Sequence, residues 1–163
     1  MTNTDPMHQL ERPLLTDDQL RLTLEDALEE AILPQLWFIF LDAEGRLTGP
    51  LMPGDGYPED PSELVDTDDL GRVSAAQLLS ARVQMIADML GAASAALVWE
   101  RPGPDELSPS TSAWVKAMAG ASRDSGLRLR AQLLLHDEGL RMLVPDDFAR
   151  IESASAPVEQ PAC

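Results

Sequence analysis

Histidine, cysteine, lysine and aromatic side chains are all scarce in this chain: its 163 residues hold two His, one Cys, a single Lys at position 116, three Trp, three Phe and one Tyr. Each shortage removes a class of chemistry. Cys163 has no partner within the chain for a disulfide, and one thiolate does not build a metal site. His8 falls in an N-terminus that reads as flexible and His136 in a hairpin turn that reads as solvent-exposed, so they are not expected to converge on one metal. Neither has a Gly-x-Ser-x-Gly elbow beside it to begin a Ser-His-Asp triad. Basic residues number 12 against 28 acidic ones, a formal net charge of -16. Phosphate backbones and anionic membranes are held by clustered Lys and Arg, so both are excluded as partners. No apolar run approaches the roughly 20 residues of a membrane-spanning helix. The opening Met1 to Pro13 carries acids and prolines where a signal peptide has a basic start and an apolar middle. The expectation is a soluble cytoplasmic protein with no cofactor, no metal and no assignable catalytic residue.

What is present is a 44% apolar composition, enough for one core, arranged in clear periodic segments. Thr16 and Gln19 form a capping box, and Leu20, Leu24, Ala27, Leu28, Ala31 and Ile32 make a helical stripe stopped by Pro34, which predicts a helix over about 17–33. Leu36 to Leu41 is short, apolar and aromatic; with Asp42-Ala43-Glu44-Gly45 and Arg46 to Leu51 it reads as a hairpin. A second capping box at Ser74 and Gln77 opens a helix with Leu78, Leu79, Val83, Ile86, Met89 and Leu90 inward and Gly91 as its stop. Ala95 to Trp99 is continuously apolar and predicts the middle strand of a sheet covered on both faces. A loop rich in Pro and Gly runs over 101–109, and a helix capped by Ser110 or Thr111 extends to about Ser125. Leu127 to Leu135 and Leu140 to Val144 flank the turn His136-Asp137-Glu138-Gly139 as a last hairpin. The order α-β-β-α-β-α-β-β predicts a single α/β domain over 16–150, a mixed sheet with helices packed on it, between a flexible 1–15 and a disordered 151–163.

Charge is unevenly placed. Residues 1–70 hold 17 acids and 3 bases, while residues 71–163 hold 11 acids and 9 bases. The acids peak over 55–69 with no base among them, so the stretch 53–72 reads as a long solvated loop. It lacks the Asp-x-Asp-x-Asp-Gly spacing of a calcium loop. In the last hairpin, alternation places Arg128, Arg130 and Gln132 on one face with Arg141 opposite Leu134, an arginine ribbon able to receive an acidic segment, or else plain solvent-facing residues.

A loop leaving a central strand and entering a helix is where α/β folds place their sites. Here it runs from Trp99-Glu100-Arg101-Pro102 to Pro109-Ser110 and on to Trp114. Over 36–144 the chain resembles the JAB/MPN metalloprotease-like superfamily, especially its RadC-like branch. In that family a strand ends in His-x-His-Pro and a Pro-Ser pair opens a helix bearing an Asp, the two His and the Asp holding zinc, with an upstream Glu as base. Pro102 matches the proline, and Pro109-Ser110 matches the pair if one loop residue is inserted. Trp99 and Arg101 stand where the histidines would be, Ala113 (or Ser112 without the insertion) where the Asp would be, and Thr48 and Leu51 near the place of the Glu. None of these offers a metal ligand of the required kind. The resemblance therefore implies a metal-free pseudoenzyme that binds a protein partner or pairs as a homodimer.

The candidate binding residues are Trp99, Arg101, Asp105 and Trp114. The indoles can line a pocket or pack at the core edge; Arg101, beside Glu100 and Asp105, can bind an anion or brace the loop through an ion pair. Two alternatives stand beside the interaction module. One is a roadblock-like dimeric regulatory module, against which the helix at 111–125 counts. The other is a hydrolase or small-ligand protein using the loop between Trp99 and Trp114.

Overall fold

Both capping boxes form. The Thr16 hydroxyl accepts from the Gln19 N–H and the Gln19 side chain accepts from the Thr16 N–H, which opens α1 (Asp17–Leu28). Ser74 and Gln77 exchange the same pair of bonds to open α2 (Ala75–Leu90), and Gly91 closes it in the left-handed conformation that glycine adopts without strain. The structure is a computed structural model and describes residues 12–55, 57–145 and 147. Its third helix, α3, spans Pro109–Ser125, and its strands are β1 (Gln35–Leu41), β2 (Met52–Gly54), β3 (Leu64–Thr67), β4 (Gly71–Ser74), β5 (Ser94–Glu100), β6 (Leu129–His136) and β7 (Gly139–Met142).

Five strands form one mixed sheet in the order β2-β1-β5-β6-β7, with β5 at its centre, antiparallel to β1 and parallel to β6. The continuous apolar run 95–99 is buried throughout, as a strand covered on both faces requires. Leu20 and Leu24 of α1 pack on the face carrying Ile39, Val98 and Leu133. On the other face α2 and α3 pack, with Val83 against Phe40 and Ala95, and Trp114, Val115 and Met118 against Leu97, Trp99 and Leu134. The chain is thus a single α/β domain in three layers, in the element order the sequence predicts, with one addition.

That addition corrects the solvated loop expected over 53–72. Residues 64–74 form a separate two-stranded sheet, β3 with β4, in the register Val65↔Val73 and Asp66↔Arg72. Alternation explains it: Val65 and Val73 are half-buried while Asp66 and Arg72 face water, so the acids stay solvated while the backbone pairs. Other boundaries also move. α1 ends at Leu28 rather than near 33, because Glu29 turns to φ 64 and the N–H groups of Ile32 and Leu33 donate to the Glu100 carboxylate instead of to the helix. In the first hairpin Leu47 bridges Leu41, but pairing with β1 resumes only at Met52; Gly49 takes a positive φ and Pro50 has no N–H to give the ladder. α3 starts one turn early, with Ser108 as its cap and Pro109 in the first turn, where no N–H is needed. Met89, expected inward, is 80% exposed.

Leu14, within the N-terminus expected to be flexible, is buried and its N–H donates to Gly45 O at 2.8 Å. His8, residues 1–11 and the expected tail 151–163 lie outside the described residues. Among the described residues no helix is long and apolar enough to cross a membrane.

Candidate functional site

At the end of β5, strand alternation sends Glu100 and Arg101 to opposite faces. Glu100 points to the α1 side, is 2% exposed, and meets no cation there among the described residues. Its carboxylate instead accepts from the Ile32 and Leu33 N–H groups, Gln35 Nε2 (2.9 Å) and the Trp37 indole N–H (2.8 Å). Burial by itself would raise its pKa, yet these four donors favour the charged form enough to hold it below the ordinary glutamate value. Glu100 therefore staples the α1–β1 connection to the sheet.

Arg101 points to the α2/α3 side. Its Nε donates to Thr111 Oγ1 at 2.9 Å, one terminal nitrogen to Glu100 O at 2.8 Å and Gln35 O at 3.2 Å, and the other to the Tyr57 hydroxyl at 2.9 Å. The guanidinium also lies 5.6 Å from the Trp99 ring centroid. Beneath it, Trp99 and Trp114 are buried 6.1 Å apart, and Tyr57 stands edge-on to both. Three of the chain's seven aromatic residues are thus in mutual ring contact. Both indole N–H groups are internally satisfied, Trp99 by Gln132 Oε1 (2.9 Å) and Trp114 by Pro58 O (2.8 Å).

The expected site is therefore built differently. Trp99 and Trp114 do come together, but as buried packing that Tyr57 covers, and no pocket opens between them. Arg101 makes neither ion pair expected of it. Glu100 lies across the sheet, and Asp105 is drawn to β7, where Arg141 Nε donates to it at 2.6 Å. Two clefts open beside Arg101, one of about 350 Å³ reaching Asp55, Tyr57, Ser108, Ser110 and Thr111 and one of about 370 Å³ against Pro102, Leu107 and Pro109. Of the positions set against zinc ligands, Trp99 and Arg101 sit together at the strand end, while Ala113 is exposed on α3 and Thr111 takes the place facing Arg101. His136 is a further correction: it ends β6 at 7% exposure, its Nδ1 accepting from the Glu138 N–H. Among the described residues no group of three or more His, Cys, Asp or Glu is placed to hold a metal ion.

The arginine ribbon does not form either. The β5–β6 register shifts between Ala95↔Leu129 and Ala96↔Ala131, so Arg130 is the extra residue of a bulge. It turns to Asp17 at 2.7 Å, at the start of α1 on the opposite face from Gln132. Gln132 is buried between Trp99 and Val115 O, and Arg141, opposite Leu134 as expected, is held by Asp105 and Asp147.

Tyr57, Gln132 and Thr111 are the residues the sequence reading missed. A lone tyrosine in a run of acids and a glutamine inside the apolar 131–135 are the signals they left. The larger opening also went unpredicted. It is an apolar groove of about 550 Å³ between α2, the β3–β4 hairpin and the β1–β2 edge, floored by Phe38, Val65, Leu79, Val83 and Ile86. No family model matches the chain, and no curated protein matches it.

Proposed function

We propose that this chain is a non-catalytic protein-interaction or regulatory module, a metal-free domain of JAB/RadC-like shape. One observation carries the reading. At the end of the central strand Tyr57 and Arg101 cover the Trp99–Trp114 pair and leave clefts of about 350 and 370 Å³ beside Arg101, while a larger and more apolar opening of about 550 Å³ lies between α2 and the β3–β4 hairpin. An apolar opening ringed by polar residues is what a binding surface needs. Element order and the position of the loop after β5 support the JAB/RadC-like shape; the outward Ala113 counts against a shared ligand geometry. α3, set between β5 and β6, counts against the roadblock-like alternative.

Two measurements test this reading. Protein isolated without chelators is expected to carry no stoichiometric zinc, and one zinc per chain would overturn the metal-free reading. Affinity capture from the native cell is expected to retain a protein at near-equal amounts. A chain that returns alone and scatters light as a monomer would remove the interaction reading.

A further inference from the structure

We propose that the groove between α2 and the β3–β4 hairpin receives a basic amphipathic helix of a partner protein, an inference that rests on the interaction reading above. The floor supplies the apolar half of the recognition. Phe38, Val65, Leu79, Val83 and Ile86 come from three elements and enclose about 550 Å³, a trough suited to the apolar stripe of one helix. At its end the Phe38 ring lies directly on the β2 backbone: a Cβ on Gly54 would stand 2.6 Å from Phe38 Cε2, so only glycine lets the ring floor the groove there.

The rim supplies the charge. Asp55 and Glu63 line the groove, and Glu59, Asp60 and Asp68 stand exposed along the same stretch, whereas Asp66 turns outward to Arg72 at 3.8 Å. Among the described residues the one cation lining the groove is Arg82, and it donates to both oxygens of Asp69 at 2.8 and 3.0 Å. That pairing holds the Asp69 carboxyl at about 2, so both partners stay charged at ordinary pH. An apolar floor beside the carboxylates of Asp55 and Glu63 is complementary to an apolar face flanked by Lys and Arg. It is a poor fit for a second copy of the chain, which would bring one acidic rim against another.

The test uses the full chain and three labelled synthetic helices: one of Leu and Lys with Leu at i, i+3, i+4 and i+7, one of the same composition in scrambled order, and one with Glu in place of Lys. The first is expected to bind at least about tenfold more tightly than either other, with affinity falling as salt rises. Methyl resonances of Val65, Leu79 and Ile86 should move on binding. The exposed pair Asp55→Asn and Glu63→Gln should weaken binding severalfold without altering the fold, and Ile86→Glu should abolish it in a chain of unchanged circular dichroism. Equal binding of the scrambled peptide, or shifts centred elsewhere, would overturn the proposal. So would concentration-dependent shifts of the same methyls without peptide, which would assign the groove to a second copy. If a partner captured from the cell still binds the Ile86→Glu chain, the groove assignment falls while the interaction reading stands.

Discussion

Glu100 shows how a single buried carboxylate organises a fold with no countercharge beside it among the described residues. Two of its donors reach each oxygen, so Glu100→Gln must turn an amide NH2 toward two donors whichever way it is placed. Leaving two buried donors unmet should cost about 3 kcal/mol, measured by denaturant unfolding. The wild-type carboxylate also carries a pH signature. Its folded pKa lies below the unfolded value, so its contribution is complete above the ordinary glutamate pKa of 4.5 and is lost as pH falls through the lowered one. Unfolding free energy measured below pH 4.5 should therefore decline less steeply in Glu100→Gln than in wild type. Tyr57 is the matching residue on the other face. Tyr57→Ala removes two edge-on aromatic contacts and one partner of Arg101, and is expected to cost about 2–3 kcal/mol. Tryptophan emission should shift to the red as Trp99 and Trp114 meet water; unchanged emission would contradict the covering role.

At the scale of elements, α2 is the helix on which the core and the open groove both depend. Its cap is the sequence's clearest signal, and Ser74 Oγ accepts from the Gln77 N–H at 3.1 Å. Ser74→Ala should cost about 1 kcal/mol in chemical unfolding. The groove side of α2 should loosen with it, visible as faster amide exchange in the first turn than at Val83. Ser74 also closes β4, pairing with Leu64, so the cap joins the small hairpin to the helix. The bulge at Arg130 works in the opposite sense. By adding a residue to β6 it breaks alternation and sends one arginine to Asp17, which disperses the ribbon that strict periodicity predicts.

For the whole molecule, the sheet divides the charge. The acids of α1 lie over one face, those of 55–69 over the other, and the nearly neutral second half supplies β5, β6 and most of the core between them. The excess of 28 acids over 12 bases repels itself in the folded state more than in the expanded one. Salt should relieve this: raising NaCl from ~20 mM to ~500 mM shortens the Debye length from about 20 Å to about 4 Å, and the Tm is expected to rise by several degrees. A Tm independent of salt would mean that the local ion pairs, among them Arg82–Asp69 and Arg130–Asp17, outweigh the global repulsion.

The sequence by itself determined the three helices and the strands β1, β5, β6 and β7, where α2 begins and ends, and that 95–99 is the centre of the sheet, though not the β3–β4 hairpin, because capping boxes, glycine stops and apolar periodicity are local and need no knowledge of neighbours. It also brought Trp99 and Trp114 to notice. The tertiary structure decided what those residues do. Glu100 and Arg101 are adjacent in sequence, yet the pleat places them on opposite faces with different partners. The third aromatic of the cluster comes from position 57, forty-two residues before Trp99. The groove belongs to three elements at once and has no local signature. Periodicity reports which way a side chain turns, whereas a site depends on which distant side chains turn toward it, and that is fixed only when the layers close.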